Sequence, residues 1–206
     1  MSNRFPRLIV PVVLLLGSVA APLSAQTPVQ SNVAGRGTEL GGSVGAANAS
    51  TETAPVVTGT AGWRLTHRVA LEARGSWFAR GVDATGIGAD VGALVNLVPR
   101  RRATPYVGAA FGLYRAQLDV AGDHVPTFYR LRHDDHAMAD STVRTFTDPA
   151  WRFSAGVEIV HHRTLSIRPE LGVILVHRSG ATDTITTLGV RLGYVFEDHP
   201  VTPARR

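Results

Sequence analysis

His177-Arg-Ser179 is the stretch whose residue types come closest to a catalytic motif. On a β-strand, residues two apart point to the same face, so the imidazole and the hydroxyl would be neighbours. A histidine beside a serine can drive acyl transfer when a third group orients the ring. Asp183 falls in the following loop, and no acid is placed to take that role. An acyl hydrolase using Ser179 and His177 is therefore kept as an alternative, and no catalytic residue is assigned.

The long loop from Asp119 to Pro149 carries imidazole and carboxylate groups at close spacing. Such groups can bind a divalent cation, and the candidates are His124, His133, Asp134, Asp135, His136 and Asp140. The loop has neither an HExxH motif nor the pattern of a calcium-binding loop. We therefore predict a solvated acidic loop with no metal site and no cofactor. Its flanks, 127–131 and 142–146, alternate in polarity and would lengthen the adjoining strands as a hairpin.

Ten charged residues share the polar face of the alternating segments described below. They are the acids Glu39, Glu72, Asp90, Glu158 and Glu170 and the bases Arg64, Arg74, Arg152, Arg168 and Arg191. The interior of a barrel of about eight strands is just wide enough for side chains to fill. Buried charges must be paired, and guanidinium groups match carboxylates well. We predict a polar network that plugs the lumen, with a narrow solute channel as the alternative.

Eight segments alternate between apolar and polar residues, which is the pattern of β-strands with two different faces. They cover about 38–49, 55–66, 69–80, 86–98, 104–118, 150–161, 164–178 and 184–196. Short connections (66–68, 99–103 and 162–163) fall at one end, and the long loop falls at the other. This arrangement predicts an all-β fold, an eight-stranded antiparallel up-and-down transmembrane β-barrel with periplasmic turns and outward loops.

The apolar face of these segments is predicted to contact lipid. A soluble barrel of the lipocalin kind would instead place its apolar face inside. The polar face is rich in glycine, serine and alanine, which suits a narrow interior, and the apolar face has aromatic residues near predicted strand ends, at Trp63, Trp77, Trp151, Tyr194 and Phe196. Aromatic girdles of this kind mark both borders of membrane barrels. The fifth segment is apolar on both faces, so its orientation stays open, and Pro169 predicts a local irregularity.

The N-terminus has the features of a secretory signal peptide, with Arg4 and Arg7 before an apolar core and Leu23-Ser-Ala25 as a cleavage site. The predicted divisions are a signal peptide (1–25), a flexible lead-in (26–37), the barrel (38–196) and a periplasmic tail (197–206). The chain has no cysteine, which excludes disulfides and thiolate metal sites. Its net charge is +5, but its arginines are scattered without a continuous stripe, which argues against nucleic-acid binding.

The last segment alternates strictly and ends on an aromatic residue, through Leu188, Val190, Leu192, Tyr194 and Phe196. Together with Pro105–Leu113 and Arg168-Pro-Glu-Leu171, it resembles small bacterial outer-membrane β-barrel proteins of the OmpA/OmpX-like type. The resemblance implies that the outer-membrane assembly machinery reads those five residues as an insertion signal. His177-Arg-Ser179 is also similar to the His-x-Ser motif of outer-membrane lipid A deacylases, although Gly180 stands where that motif continues with asparagine.

The expected function is that of a non-enzymatic outer-membrane barrel with a structural or surface-interaction role through its outward loops. The alternatives are a lipid A acyl hydrolase using Ser179 and His177, and a narrow solute channel. The expected partners are outer-membrane lipid and the assembly machinery, without nucleic acid, and the expected oligomeric state is a monomer.

Overall fold

The computed structural model describes residues 37–49, 52–79, 84–99, 102–119, 143–161, 164–178 and 181–197. The predicted signal peptide and lead-in lie almost wholly outside this range, and so does the tail after residue 197. Within the described part of the chain, no helix is long and apolar enough to cross a membrane.

Eight antiparallel strands close into a single barrel in which β1 pairs with both β2 and β8. The strands are β1 (Gly37–Ala49), β2 (Glu52–Arg64), β3 (Val69–Ala79), β4 (Ala84–Asn96), β5 (Ala103–Asp119), β6 (Val143–Val160), β7 (Leu165–Arg178) and β8 (Ala181–Glu197). The predicted all-β barrel is confirmed. We call the end with the short connections after β2, β4 and β6 the turn end, and the opposite end the loop end.

Strand β6 begins at Val143, about seven residues before the predicted start near 150. Thr145 and Thr147 face outward while Phe146 and Asp148 face inward, so the alternation simply continues upstream of the predicted start. This extension pairs with the end of β5, from Tyr114–Asp148 to Asp119–Val143. The predicted loop bounds of 119–149 were therefore too wide, whereas the expectation that the flank 142–146 lengthens the strand is confirmed from Val143 onward. The other flank, 127–131, lies outside the described residues, and Trp151 lies well inside its strand.

Strands β2 and β8 each begin three residues earlier than predicted, at Glu52 and Ala181. As a result, Asp183 belongs to β8 and not to the preceding loop. It pairs with Val176 of β7 and is buried.

Large apolar side chains are exposed on the outer face of the barrel and charged side chains are buried on its inner face, which is the reverse of a soluble barrel. Leu188 and Val91 are each 64% exposed, whereas Arg191, the inward neighbour of Val190, is 2% exposed. The lipid-facing interpretation therefore holds over the lipocalin one. The open question about β5 is also resolved, because Phe111 faces outward and Tyr106 faces inward.

Pro169 interrupts the β6–β7 ladder without shifting its register. The pairs Gly156–Glu170 and Ile159–Ile167 have the same offset on either side of the proline. The pairs between them are missing, as expected next to a residue that has no N–H to donate. The irregularity is therefore a local gap and not a bulge.

The outer surface divides into an apolar belt and a polar collar. Toward the loop end of β1, β2, β4, β5, β6 and β8, the outward apolar residues give way to uncharged polar residues and one arginine. We call this set the loop-end collar: Asn48, Thr53, Thr85, Arg115, Gln117, Thr145, Thr147, Thr182, Thr184 and Thr186. Tyr194 and Phe196 mark the opposite border, with ring centroids 4.9 Å apart.

The position of an outward residue relative to the apolar belt predicts how much a charge there destabilises the barrel. Val91→Arg, in the middle of β4, should lower the free energy of unfolding by about 2–4 kcal/mol, because it places a cation at the depth of the hydrocarbon. Thr145→Arg, in the loop-end collar, should cost at most about 1 kcal/mol. Urea titration of the barrel in lipid vesicles measures both values, and equal costs would contradict the assignment of the belt.

Candidate functional site in the barrel interior

The structure brings all ten predicted charged residues together inside the barrel. Five acids meet five arginines, so the formal charges sum to zero. The groups come from β1, β2, β3, β4, β6, β7 and β8, which all turn one face toward the same narrow lumen. The contacts divide into two closed squares and one pair, ordered from the turn end toward the loop end.

The turn-end square consists of Glu39, Arg64, Glu158 and Arg168. The Nη2 of Arg64 lies 2.7 Å from Glu39 Oε2 and 2.6 Å from Glu158 Oε1. The Nη2 of Arg168 lies 2.6 Å and 3.0 Å from the same two oxygens. Each arginine therefore bridges both acids, and Glu158 is only 1% exposed at the centre of this arrangement.

The central square consists of Glu72, Arg74, Glu170 and Arg191, and it repeats the same connectivity. The distance from Arg74 Nη1 to Glu170 Oε1 is 2.5 Å, and that from Arg191 Nη2 to Glu170 Oε2 is 2.8 Å. Both arginines also contact the carboxylate of Glu72. Tyr106 donates a hydrogen bond of 2.7 Å to Glu170 Oε2. A longer contact of 3.9 Å from Arg168 to Glu72 joins the two squares.

Asp90 and Arg152 form the third neutral unit, with 2.9 Å between Asp90 Oδ2 and Arg152 Nε. Arg152 also donates to Ser76 Oγ at 3.1 Å, and Ser76 lies 3.0 Å from the Thr58 hydroxyl. Hydroxyl groups thus complete the coordination of this guanidinium on the side that faces away from the squares.

Glycines lie beside the carboxylates on the inner face of the barrel. Glu39, Glu72, Asp90 and Glu170 each stand directly across a strand pair from a glycine: Gly62, Gly92, Gly112 and Gly156, respectively. At Gly193, an added Cβ would overlap Glu39 Oε1 and approach Ser166 Oγ to 2.7 Å. Gly193 therefore leaves room for the Glu39 carboxylate, whereas at Gly92, Gly112 and Gly156 an added Cβ would first meet the backbone of a neighbouring strand.

An apolar cluster fills the lumen beyond the Asp90–Arg152 pair, toward the loop end. We call it the apolar cap; its larger members are Val56, Phe78, Tyr114, Leu118, Ile174, Val176 and Ile185. Phe78 and Tyr114 pack edge to face, with ring centroids 5.5 Å apart. The prediction of a wholly polar lumen was therefore incomplete. The signal was present in the sequence, since the inward positions of β7 change from Arg168 and Glu170 to Ile174 and Val176.

Small cavities remain within the charged region. One of about 30 Å³ lies among Arg74, Arg152, Glu170 and Arg191. Two others of about 10 Å³ lie beside Ser154 and beside Tyr114. A void of 10–15 Å³ is about the minimum for one water molecule. These three cavities therefore have room for isolated waters only.

The predicted acyl-transfer pair does not gain an acid in the described structure. His177 is exposed on the outer face, and its Nδ1 lies 3.0 Å from the hydroxyl of Thr182. Asp183, the acid considered from sequence, faces inward and is 4% exposed. His177 and Asp183 therefore lie on opposite faces of the sheet. Ser179 lies outside the described residues, as do the loop histidines and Asp134, Asp135 and Asp140; no cluster of potential metal ligands is found among the residues that are described.

The five predicted insertion-signal residues all project outward near the turn end of β8. Their recognition by an assembly machinery stays a prediction.

The model of the outer membrane protein beta-barrel domain family matches residues 12–196. The chain belongs to this family. It is therefore an outer-membrane protein, which confirms the predicted family resemblance and localisation. No curated protein matches the chain.

Three solved structures illustrate the likeness of fold. Neisserial surface protein A aligns with a TM-score of 0.57 at 13% identity, covering 79% of this chain and 98% of that protein. Ail, the attachment invasion locus protein of Yersinia pestis, aligns at 0.48 and 9% identity, covering 78% and 97%. The outer membrane enzyme PagL aligns at 0.44 and 13% identity, covering 76% and 98%. At these identities the likeness concerns the fold alone.

The Asp90–Arg152 pair allows a direct test of charge neutrality in the lumen. Asp90→Asn or Arg152→Gln alone leaves an uncompensated buried charge and should cost about 3–5 kcal/mol of unfolding free energy. The double variant restores neutrality and should cost less than either single variant. Urea unfolding in vesicles gives all three values, with Thr186→Ala on the outer face as the control. A double variant whose cost equals the sum of the singles would refute the coupling.

Proposed function

We propose that this protein is a non-enzymatic outer-membrane barrel with a closed lumen, which acts through the surfaces that it presents at its loop end. The observation that carries this proposal is the filled interior. Two charge-neutral squares, one neutral pair and the apolar cap occupy successive positions along the lumen.

Two different barriers oppose passage of solutes. The squares hold their charges in mutual contact, so an ion entering from the turn end would have to break paired carboxylates and arginines. The apolar cap would then place apolar side chains such as Phe78, Ile174 and Val176 along the path, which adds a cost for an ion that must lose its water. A solute channel would need both barriers to move together.

The orientation follows from the connections. The short connections and both ends of the barrel, Gly37 and Glu197, lie at the turn end, while the connection between β5 and β6 spans residues 120–142 at the loop end. Outer-membrane barrels have short periplasmic turns and longer outward loops. We therefore place the loop-end collar and the long connection outside the cell.

The lipid A hydrolase remains the alternative, and the geometry supports it less well. The ring of His177 is oriented by Thr182, a neutral hydroxyl, and the sheet lies between it and Asp183. A neutral hydroxyl partner stabilises the protonated histidine ring less than a carboxylate partner would.

A closed lumen and an absence of hydrolysis can be measured on the full-length protein. In planar bilayers the barrel should give no conductance steps, and lipid A from expressing cells should keep all its acyl chains by mass spectrometry. Discrete conductance steps would establish the channel instead. Loss of an acyl chain that Ser179→Ala abolishes would establish the hydrolase.

The absence of cysteine makes orientation testable by labelling. Thr145→Cys, in the loop-end collar, should react with a membrane-impermeant maleimide on intact cells. Arg102→Cys, exposed at the turn end, should react only after the outer membrane is permeabilised. The reverse pattern would invert the proposed orientation.

A further inference from the structure

Arg115 is an exposed cation on the outer face of β5, in the loop-end collar. The register places it directly between Ile87 of β4 and Thr147 of β6. It forms no hydrogen bond or ion pair with another described residue. The other strand arginines whose side chains are described point into the barrel, so Arg115 is exceptional among them.

The surroundings of Arg115 are polar but uncharged. Thr147 lies directly across the pair, and Thr85, Thr145 and Gln117 occupy the neighbouring outward positions. Among described side chains, no acid shares this outer face near the arginine. Among the described residues, this guanidinium lies beside hydroxyl and amide groups, and no described anion receives its N–H donors.

The apolar belt begins immediately below this position. Leu113 is the next outward residue of β5, followed by Phe111, which packs against Trp151 with ring centroids 4.8 Å apart. In the other direction, Ile87 pairs with Trp77 of β3. Tryptophan residues concentrate at the level of lipid headgroups. Arg115 thus projects where apolar surface for acyl chains meets polar surface for headgroups.

We propose that Arg115, with Thr147 and its neighbouring hydroxyl groups, binds the phosphate of an outer-leaflet glycolipid whose acyl chains pack on Leu113, Ile87 and Trp151. A guanidinium matches phosphate with two parallel hydrogen bonds. The continuity of the site with the lipid-facing belt favours a phosphate carried by a lipid over a free one. The proposal rests on the loop-end-outward orientation proposed above.

The test compares two variants that remove the same charge at opposite ends of the barrel. Full-length wild type, Arg115→Gln and Arg102→Gln are placed in nanodiscs of zwitterionic phospholipid with a small fraction of diphosphorylated lipid A. Native mass spectrometry then counts the lipid A that stays bound. Arg115→Gln should lower the occupancy about tenfold, as expected for the loss of a charge-assisted contact, whereas Arg102→Gln should leave it unchanged.

Further arms identify the ligand chemistry. Dephosphorylated lipid A should bind wild type about as weakly as diphosphorylated lipid A binds Arg115→Gln. Millimolar inorganic phosphate should not displace the lipid, and displacement would point to a free anion. Equal binding by wild type and Arg115→Gln, or an equal loss in Arg102→Gln, would overturn the proposal. Because lipid A is present in both leaflets of a nanodisc, this result is independent of orientation, which the cysteine labelling decides separately.

Discussion

Neutralisation of charge in a narrow, water-poor lumen is the constraint on which the rest of this structure depends. Each arginine in the two squares touches two acids, and each acid touches two arginines, so no charge relies on a single partner. This sharing also explains a pairing that would otherwise be unfavourable. Arg168 and Arg191 stand directly opposite each other on β7 and β8, and like charges at such positions repel. Arg168 contacts Glu39 and Glu158 in the turn-end square. Arg191 contacts Glu72 and Glu170 in the central square, so a separate pair of carboxylates neutralises each guanidinium group.

The two faces of each strand meet different demands, and the inner face changes character along its length. Near the turn end it carries charged residues and glycines. Near the loop end it carries the apolar side chains Phe78, Tyr114 and Ile174, with the buried carboxylates of Asp148 and Asp183 on the same face. The outer face remains apolar until the loop-end collar, where threonines replace aliphatic residues.

Much of this could be predicted from alternation, because a period of two identifies both the strand and its faces. The ten charged residues of the lumen followed from their parity, since any inward charge in a narrow barrel has to find a partner there. Which arginine meets which acid could not be predicted, because it depends on the stagger of strands far apart in the sequence. The start of β6 was predicted near residue 150 because Pro149 and Asp148 look like loop residues. Both continue the alternation, and the expected strand-like flank 142–146 belongs to the same strand. The apolar cap was not predicted because Tyr114 and Ile174 are residue types that also suit a lipid-facing position.

The sequence separation of the ion pairs has a consequence for how the barrel forms. Glu39 and Arg168 are 129 positions apart and lie on β1 and β7, so their contact exists only after β8 has joined β1. A partly assembled sheet would hold several unpaired charges and two open edges, both of which are costly in a membrane. A partly assembled barrel therefore has two energetic costs, unpaired charges and open sheet edges. Pairing of β8 with β1 removes the open edges and brings together the charged groups that lie on either side of this strand pair. The charged side chains that fill the finished lumen thus couple part of their pairing to the closure of the barrel.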